Sequence, residues 1–165
     1  NAMFKQLIDN QNIVLRDMSQ FVDIQLNQDI SIEGFLVPHR NELSETAGYK
    51  IKSKNKTLIY IPDINSWEDW NIELDKLIAD NDILILDGTF YNKEEIKHRD
   101  IKKIPHPPIQ DTMRILKDIN CKEKSKIYFT HLNHTNKVLD TKSKEYNTVI
   151  TSGYNILKDK KVFNL

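Results

Sequence analysis

Three short apolar runs constrain the fold of this chain more than any other feature of its sequence. They are Thr57–Ile61, residues 83–86 and residues 126–130. Each is four or five residues long, rich in isoleucine and leucine or in β-branched and aromatic residues, and bounded by polar or turn residues. Runs of this kind are typical of strands buried inside a sheet. The sequence therefore predicts a sheet with these three strands at its centre.

Segments with helical features separate the predicted strands. Residues 67–80 place Trp70, Leu74 and Ile78 on one side of a helix that Ser66 can cap. Pro107 and Pro108 are suited to the first turn of a second helix, which continues through Leu116. The order strand, helix, strand, helix, strand predicts an α/β layer.

Weaker patterns flank this central part of the chain. Short alternating or β-branched runs near the N-terminus predict further strands at residues 13–15, 22–26, 30–37 and 49–51. Near the C-terminus, residues 148–150 and 161–163 are interpreted as possible edge strands. Asn1 and Ala2 before Met3 resemble the remnant of a cleaved purification tag, so residues 3–165 are expected to form one domain.

Composition limits the classes of function. The 24 basic and 24 acidic side chains cancel, so no overall field favours nucleic acid or a membrane surface as partner. The apolar runs are far shorter than the ~20 residues that cross a bilayer. Cys121 is the single cysteine, which excludes an internal disulfide and a cysteine-cluster metal site. A cytoplasmic protein is the default expectation.

Polar residues follow each of the three central strands. Asp63 follows the first, Asp87 the second, and His131 the third, with His134 shortly after. Side chains at the carboxyl ends of such strands converge on one rim of the sheet. Carboxylates and imidazoles are ligands that zinc, manganese or iron accept. The same residues are also common in turns and surface loops, so the pattern alone leaves both interpretations open.

Several motifs occur together and in one order. They are VPHRNELSETAGY (residues 37–49), YIPD (60–63), LDGTF (86–90), IPHP (104–107) and THLNHTN (130–136). Their order and spacing resemble the C-terminal part of the pyrroloquinoline-quinone biosynthesis B family. That family belongs to the metallo-β-lactamase superfamily, whose members include tRNA 3′-processing endonucleases and related phosphodiesterases.

The resemblance implies roles for individual residues. Asp63 matches the aspartate that bridges two metal ions, and His131 matches a terminal metal ligand. Asp87 and His106 match an acidic residue and a histidine near the substrate, which implies catalytic roles in proton transfer or phosphate contact. His134 is expected to support the ligands by hydrogen bonding. His39 is expected at the rim of the site, where a structural role is at least as good an interpretation.

The resemblance also implies a fold and a chemistry. The fold expected is the C-terminal half of an αββα sandwich, with one sheet layer and helices on one face. The chemistry expected is metal-dependent hydrolysis of a phosphodiester or related bond, or iron-dependent oxidation of a peptide-derived precursor. Zinc, manganese or iron is the implied metal, held in the complete enzyme.

One part of the superfamily pattern is absent from this sequence. The signature His-x-His-x-Asp-His occurs nowhere in the chain, and only five histidines are present. Two hypotheses follow. The first is the C-terminal half of a hydrolase, inactive alone, in which Asp63 and His131 hold metal and His106 or Asp87 assists. The second is a non-catalytic fragment or interaction module that binds metal weakly or not at all. Either version would expose an apolar sheet face, so we expect a homodimer or association with an N-terminal half.

Overall fold

The computed structural model describes residues 2–15, 18–19, 22–42, 44–96 and 106–165. The strands are β1 (Asp23–Gln25), β2 (Ser31–Val37), β3 (Thr46–Lys52), β4 (Thr57–Ile61), β5 (Ile83–Asp87), β6 (Ile127–Thr130) and β7 (Asn155–Ile156). The α-helices are α1 (Ala2–Asp9), α2 (Leu74–Ala79), α3 (Ile109–Ile115), α4 (Cys121–Lys124) and α5 (Lys144–Thr151). Short 3₁₀ helices cover Lys93–Ile96 and Lys137–Leu139.

The strands of the described residues form one sheet in sequence order, from β1 to β7. Strands β1 to β4 are joined antiparallel, and β4 to β7 are joined parallel. Parallel neighbours need a crossover connection, which the segments containing α2, α3 and α5 supply. The predicted central strands are confirmed as β4, β5 and β6, and most of their apolar side chains are buried.

One face of the sheet, the helix face, carries the main core. The sheet contributes Phe35, Val37, Ile59, Ile61, Leu84, Leu86, Ile127 and Phe129. The helices contribute Leu74, Ile78, Ile109 and Val149. Side chains alternate between the faces of a strand, so every second residue of β4, β5 and β6 enters this core. The expected arrangement of one sheet with helices on one face is confirmed.

The opposite face, here called the open face, is covered only in part. Leu58, Ile83 and Ile85 form a smaller cluster there, against which Phe163 and Leu165 pack. Phe163 also meets the ring of Tyr128 edge-on, with centroids 5.1 Å apart. The C-terminal segment therefore shields β5 and β6, and Met18 of the N-terminal segment lies over Gly34 of β2.

The helix predicted at residues 67–80 is wrong over its first half. Only Leu74–Ala79 is helical, although Trp67 and Trp70 are both buried. The Trp67 indole N–H donates to Thr112 Oγ1 at 2.9 Å, and the Ser66 hydroxyl accepts from the backbone N–H of Glu68. Ser66 thus stabilises a turn, and Trp67 is held by α3 rather than by a helix of its own.

Three predicted strands are absent. Residues 13–15 form no regular element, and residues 161–163 lie in an irregular tail. Residues 148–150 belong to α5, where the Ser143 side chain caps the helix by accepting from Tyr146 N–H and Val149 is fully buried. The cap and the packing of Val149 override the strand preference of the β-branched run. The edge strand near the C-terminus is β7 instead, and the sequence analysis did not predict α1.

In the described part of the chain, no helix has the length and apolarity that crossing a membrane requires.

Candidate metal centre

The ends of four strands meet at one edge of the sheet. Strands β4, β5 and β6 run in parallel and deliver Asp63, Asp87 and His131 to this edge. Strand β2 runs in the same direction as β4 because both are antiparallel to β3. His39, two residues beyond β2, therefore emerges at the same edge. His106 arrives from the segment that precedes α3.

Asp63 lies at the centre of three histidines. Its Oδ1 atom is 3.4 Å from His131 Nδ1, and 3.8 Å from both His39 Nε2 and His106 Nδ1. The rings of His39 and His106 are 5.1 Å apart between centroids, and those of His106 and His131 are 5.6 Å apart. His39 and His106 are mostly buried, whereas 44% of the His131 side chain is exposed. The cluster thus opens to solvent on the His131 side.

Asp87 is a buried carboxylate that supports the cluster from the interior of the fold. Its side chain is 0% exposed, and its Oδ2 atom is 2.7 Å from His106 Nδ1 and accepts from Ile64 N–H at 3.2 Å. Its Oδ1 atom accepts from the backbone N–H and the hydroxyl of Thr89, at 2.9 and 2.7 Å. A carboxylate has about four acceptor positions, and all four are filled. Asp87 is therefore a fully bonded buried group that orients His106 rather than an accessible ligand.

The loop after β6 fixes His131 in an uncommon backbone conformation. His131 has φ of 57°, in the left-handed region that non-glycine residues rarely adopt. The buried amide of Asn136 holds the loop by donating to the carbonyl oxygens of Gly88 and Thr89, at 2.9 and 3.2 Å. A side chain on Gly88 would collide with Phe129 Cβ and the Thr130 carbonyl oxygen. These contacts fix the ends of β5 and β6 relative to each other. The rigid surroundings then maintain the strained backbone conformation of His131.

The structure brings Asp63, Asp87 and His131 together, as the strand ends predict, and His106 joins them, as the resemblance implies, while their roles stay predictions. His39 lies closer to Asp63 than its predicted place at the rim suggested. His134 is exposed in the turn after β6, and among the described residues it has no hydrogen bond or ion pair with the cluster. Asn136 performs the supporting role that was expected of His134.

Some sequence predictions fall outside the described residues. Leu43 of the VPHRNELSETAGY motif, Ile104 and Pro105 of the IPHP motif, and His98 among the five histidines are of this kind. The sequence analysis assigned no role to Thr89. Its position in the LDGTF motif is the one sequence signal that could have indicated it.

The residues of the cluster fit a divalent metal ion. His39, Asp63 and His106 offer ligand atoms that lie within 4.8 Å of one another. Asp87, His106 and His131 are equally close together, but the carboxylate of Asp87 is already filled by its hydrogen bonds. Imidazole nitrogens with one carboxylate oxygen are the donor set that zinc, iron and manganese accept.

Comparisons with known proteins show which proteins this chain resembles. A family model described as a beta-lactamase superfamily domain matches residues 4–132, which is more than half of the chain. The Coenzyme PQQ synthesis protein B of Methylococcus capsulatus is 25% identical over 131 residues, covering 74% of this chain and 42% of that protein. The chain thus spans less than half of the length of this curated relative.

Two solved structures share the fold. Zn(2+)-bound PqqB from Methylobacterium extorquens superposes with a TM-score of 0.72 at 24% identity, covering 99% of this chain and 60% of that one. The metallo-beta-lactamase fold protein YhfI from Bacillus subtilis gives a TM-score of 0.53 at 16% identity, covering 92% and 58%. The motif resemblance and the expected fold are both confirmed. This chain belongs to the metallo-β-lactamase superfamily.

Proposed function

We propose that this chain binds one divalent metal ion between Asp63 and its neighbouring histidines, as the metal-binding half of a hydrolase. The observation that carries the proposal is the approach of three imidazoles to one carboxylate oxygen, at 3.4 to 3.8 Å. The distances to His106 and His131 are measured at Nδ1, the nitrogen that each ring directs toward Asp87 or Thr89, so these two rings would bind the ion through Nε2. Three or four protein ligands are enough for a zinc ion.

The proposal assigns separate tasks to the two carboxylates. Asp63 is partly exposed, and no hydrogen bond from the described residues fills its acceptor positions, so it is the ligand carboxylate. Asp87 is filled by its four hydrogen bonds and holds His106 through Nδ1. His106 then has Nε2 available for proton transfer or ligation. The ion would supply an activated water at neutral pH, which is the reagent of metal-dependent hydrolysis.

Zinc is our first choice of metal, with manganese and iron as alternatives that share the same ligand types. The similarity to a Zn(2+)-bound PqqB supports zinc, and the similarity to PQQ synthesis protein B supports a small-molecule or peptide-derived substrate. The phosphodiesterases of the superfamily make a phosphodiester the competing substrate class. Because Cys121 is a free, exposed thiol, we place the protein in the reducing cytoplasm.

We further propose that the chain alone binds metal without turning over substrate. The His-x-His-x-Asp-His signature, which supplies more ligands in the superfamily, is absent from the sequence. A single ion held by this chain therefore lacks the second ion that a binuclear site would place beside it.

A zinc titration of the metal-free chain against a chromogenic chelator tests both statements. We expect uptake of about one ion per chain with a Kd at or below about 1 μM, which corresponds to about 8 kcal/mol. We expect no zinc-dependent hydrolysis of bis(p-nitrophenyl) phosphate. Cys121→Ser is the control, because it removes an exposed thiol that could bind zinc elsewhere. Absence of uptake, or uptake lost in this variant, would reject the metal site, and turnover would reject the inactive half.

We propose a second copy of the chain as the partner of the open face. Leu36 and Tyr60 lie on this face and are 38% and 37% exposed, and Met18 covers Gly34 beside them. In a monomer this apolar surface would stay exposed to water, and each Å² of exposed apolar surface costs about 25 cal/mol relative to its burial. A stable two-fold interface of at least about 1,200 Å² would cover it.

Sedimentation across a dilution series decides the question of the dimer. We expect a dimer that Tyr60→Glu converts to a monomer, since the charge would be buried in the interface. Ile115→Glu is the matched control, because Ile115 is a 44% exposed apolar residue of α3 and is not on the open face. A folded monomer at all concentrations contradicts the proposal.

A further inference from the structure

Thr89 connects two of the three histidines of the cluster, His106 and His131, with the buried carboxylate of Asp87. Its side chain is almost completely buried. Its hydroxyl oxygen is 2.7 Å from Asp87 Oδ1, 2.9 Å from His131 Nδ1 and 3.1 Å from His106 Nδ1. A threonine hydroxyl has one hydrogen to donate and two lone pairs to accept with. The three polar neighbours therefore occupy the one donor position and both acceptor positions of the hydroxyl.

The direction of each hydrogen bond follows from the partners. The Asp87 carboxylate can only accept, so the Thr89 hydroxyl donates to Asp87 Oδ1. The lone pairs of the hydroxyl then face the two imidazole nitrogens, and each of these nitrogens must carry a hydrogen. His106 Nδ1 donates mainly to Asp87 Oδ2, which is closer at 2.7 Å. For His131 Nδ1, the Thr89 hydroxyl is the nearest acceptor at 2.9 Å.

We infer that Thr89 is a positioning residue that holds His131 in the tautomer with hydrogen on Nδ1, leaving Nε2 as the nitrogen free to bind. Asp87 orients the Thr89 hydroxyl, and the hydroxyl in turn orients the ring of His131. The buried carboxylate of Asp87 thereby fixes the tautomer and orientation of His106 directly, and those of His131 through Thr89. The use of His131 Nε2 as a metal ligand rests on the proposed function, whereas the tautomer itself does not.

Asp63 is the competing acceptor for the hydrogen of His131. Its Oδ1 atom is 3.4 Å from His131 Nδ1, which is longer than the contact with Thr89 by 0.5 Å, the difference between 3.4 and 2.9 Å. A hydrogen bond weakens steeply over that range. The hydroxyl of Thr89, rather than the charge of Asp63, therefore determines which nitrogen of His131 is protonated.

The tautomers are measured by long-range ¹H–¹⁵N spectra of the metal-free chain, labelled at the histidine ring nitrogens. The spectra are recorded at a pH of about 8, above the ordinary histidine pKa of about 6.5. We expect hydrogen on Nδ1 for both His106 and His131. In Thr89→Val, which keeps the shape and removes the hydroxyl, His131 shifts toward hydrogen on Nε2 and His106 does not. Thr89→Ser restores the wild-type pattern for His131.

Two control variants separate this role from general effects. Thr112→Val removes another fully buried threonine hydroxyl, the one that accepts from the Trp67 indole, and should leave the His131 pattern unchanged. Asp63→Asn tests the competing acceptor and should also leave hydrogen on Nδ1. A wild-type His131 with hydrogen on Nε2 overturns the inference. So does a Thr89→Val spectrum that matches wild type, or a change produced by Asp63→Asn in its place.

Zinc affinity provides a second readout. Loss of a group that supports a metal-binding histidine weakens metal affinity by about 10- to 100-fold, and we expect this for Thr89→Val but not for Thr89→Ser. If wild type binds no zinc, the proposed metal site fails, while the tautomer spectra still decide the role of Thr89. If zinc binds and Thr89→Val leaves both affinity and spectra unchanged, only the inference on Thr89 fails.

Discussion

Replacing Asp87 with alanine is expected to lower the free energy of unfolding by about 2 to 6 kcal/mol, because two buried backbone N–H groups lose their acceptor. The carboxylate is 0% exposed and accepts from two backbone N–H groups, of Ile64 and Thr89, besides the His106 ring. Alanine would leave these donors buried without partners, and each such group costs about 1 to 3 kcal/mol. Urea unfolding followed by circular dichroism measures the loss.

Asp111→Ala is the matched control for this prediction. Asp111 is also a carboxylate with two ion pairs, to Lys93 and Arg114 at 3.1 and 3.0 Å, but a quarter of its side chain is exposed. Ion pairs in contact with water contribute about 0 to 1 kcal/mol. We therefore expect a small change for Asp111→Ala. Equal losses for the two variants would show that the bonds of Asp87 do not hold the strand ends together.

Replacing Asp63 with asparagine is expected to raise the Kd for zinc by more than about 100-fold. A supporting partner of a ligand alone contributes about 10- to 100-fold, so the central charged ligand contributes more. Asparagine keeps the size of the side chain, and Asp63 is 31% exposed. The fold should therefore tolerate the change, and circular dichroism and urea unfolding should remain close to wild type.

Asp111→Asn is the control for zinc binding, because its ion pairs with Lys93 and Arg114 tie it to groups outside the cluster. We expect its zinc affinity to equal that of wild type in the same competition assay. An Asp63→Asn chain that binds zinc as tightly as wild type would place the ion elsewhere. A parallel loss in both variants would indicate a nonspecific effect of reduced negative charge.

The central sheet was predictable from the sequence because its strands are buried runs with few alternatives. Residues 83–86 illustrate this, since every position of Ile83–Asp87 is buried in the structure. The same runs located Asp63, Asp87 and His131, because parallel strands end at one edge. Local pattern and tertiary structure agree in this part of the chain.

Other features depend on contacts that no local pattern contains. Residues 148–150 resemble a strand, yet the Ser143 cap and the buried Val149 place them in α5. The position of His39 depends on the direction of β2, which is set by its pairing with β3. The role of Thr89 depends on groups 2, 17 and 42 residues away in sequence. Such links become visible only when the strand ends are placed together.

X-ray absorption at the zinc edge of the zinc-loaded chain tests the central claim most directly, namely that the ion is held by Asp63 and its histidines. We predict a first shell of nitrogen and oxygen at about 2.0 to 2.1 Å, with the outer-shell scattering of imidazole rings and no sulfur. In Asp63→Asn this pattern should be lost. A sulfur contribution at about 2.3 Å, which the exposed Cys121 would supply, or a shell without imidazole would contradict the account.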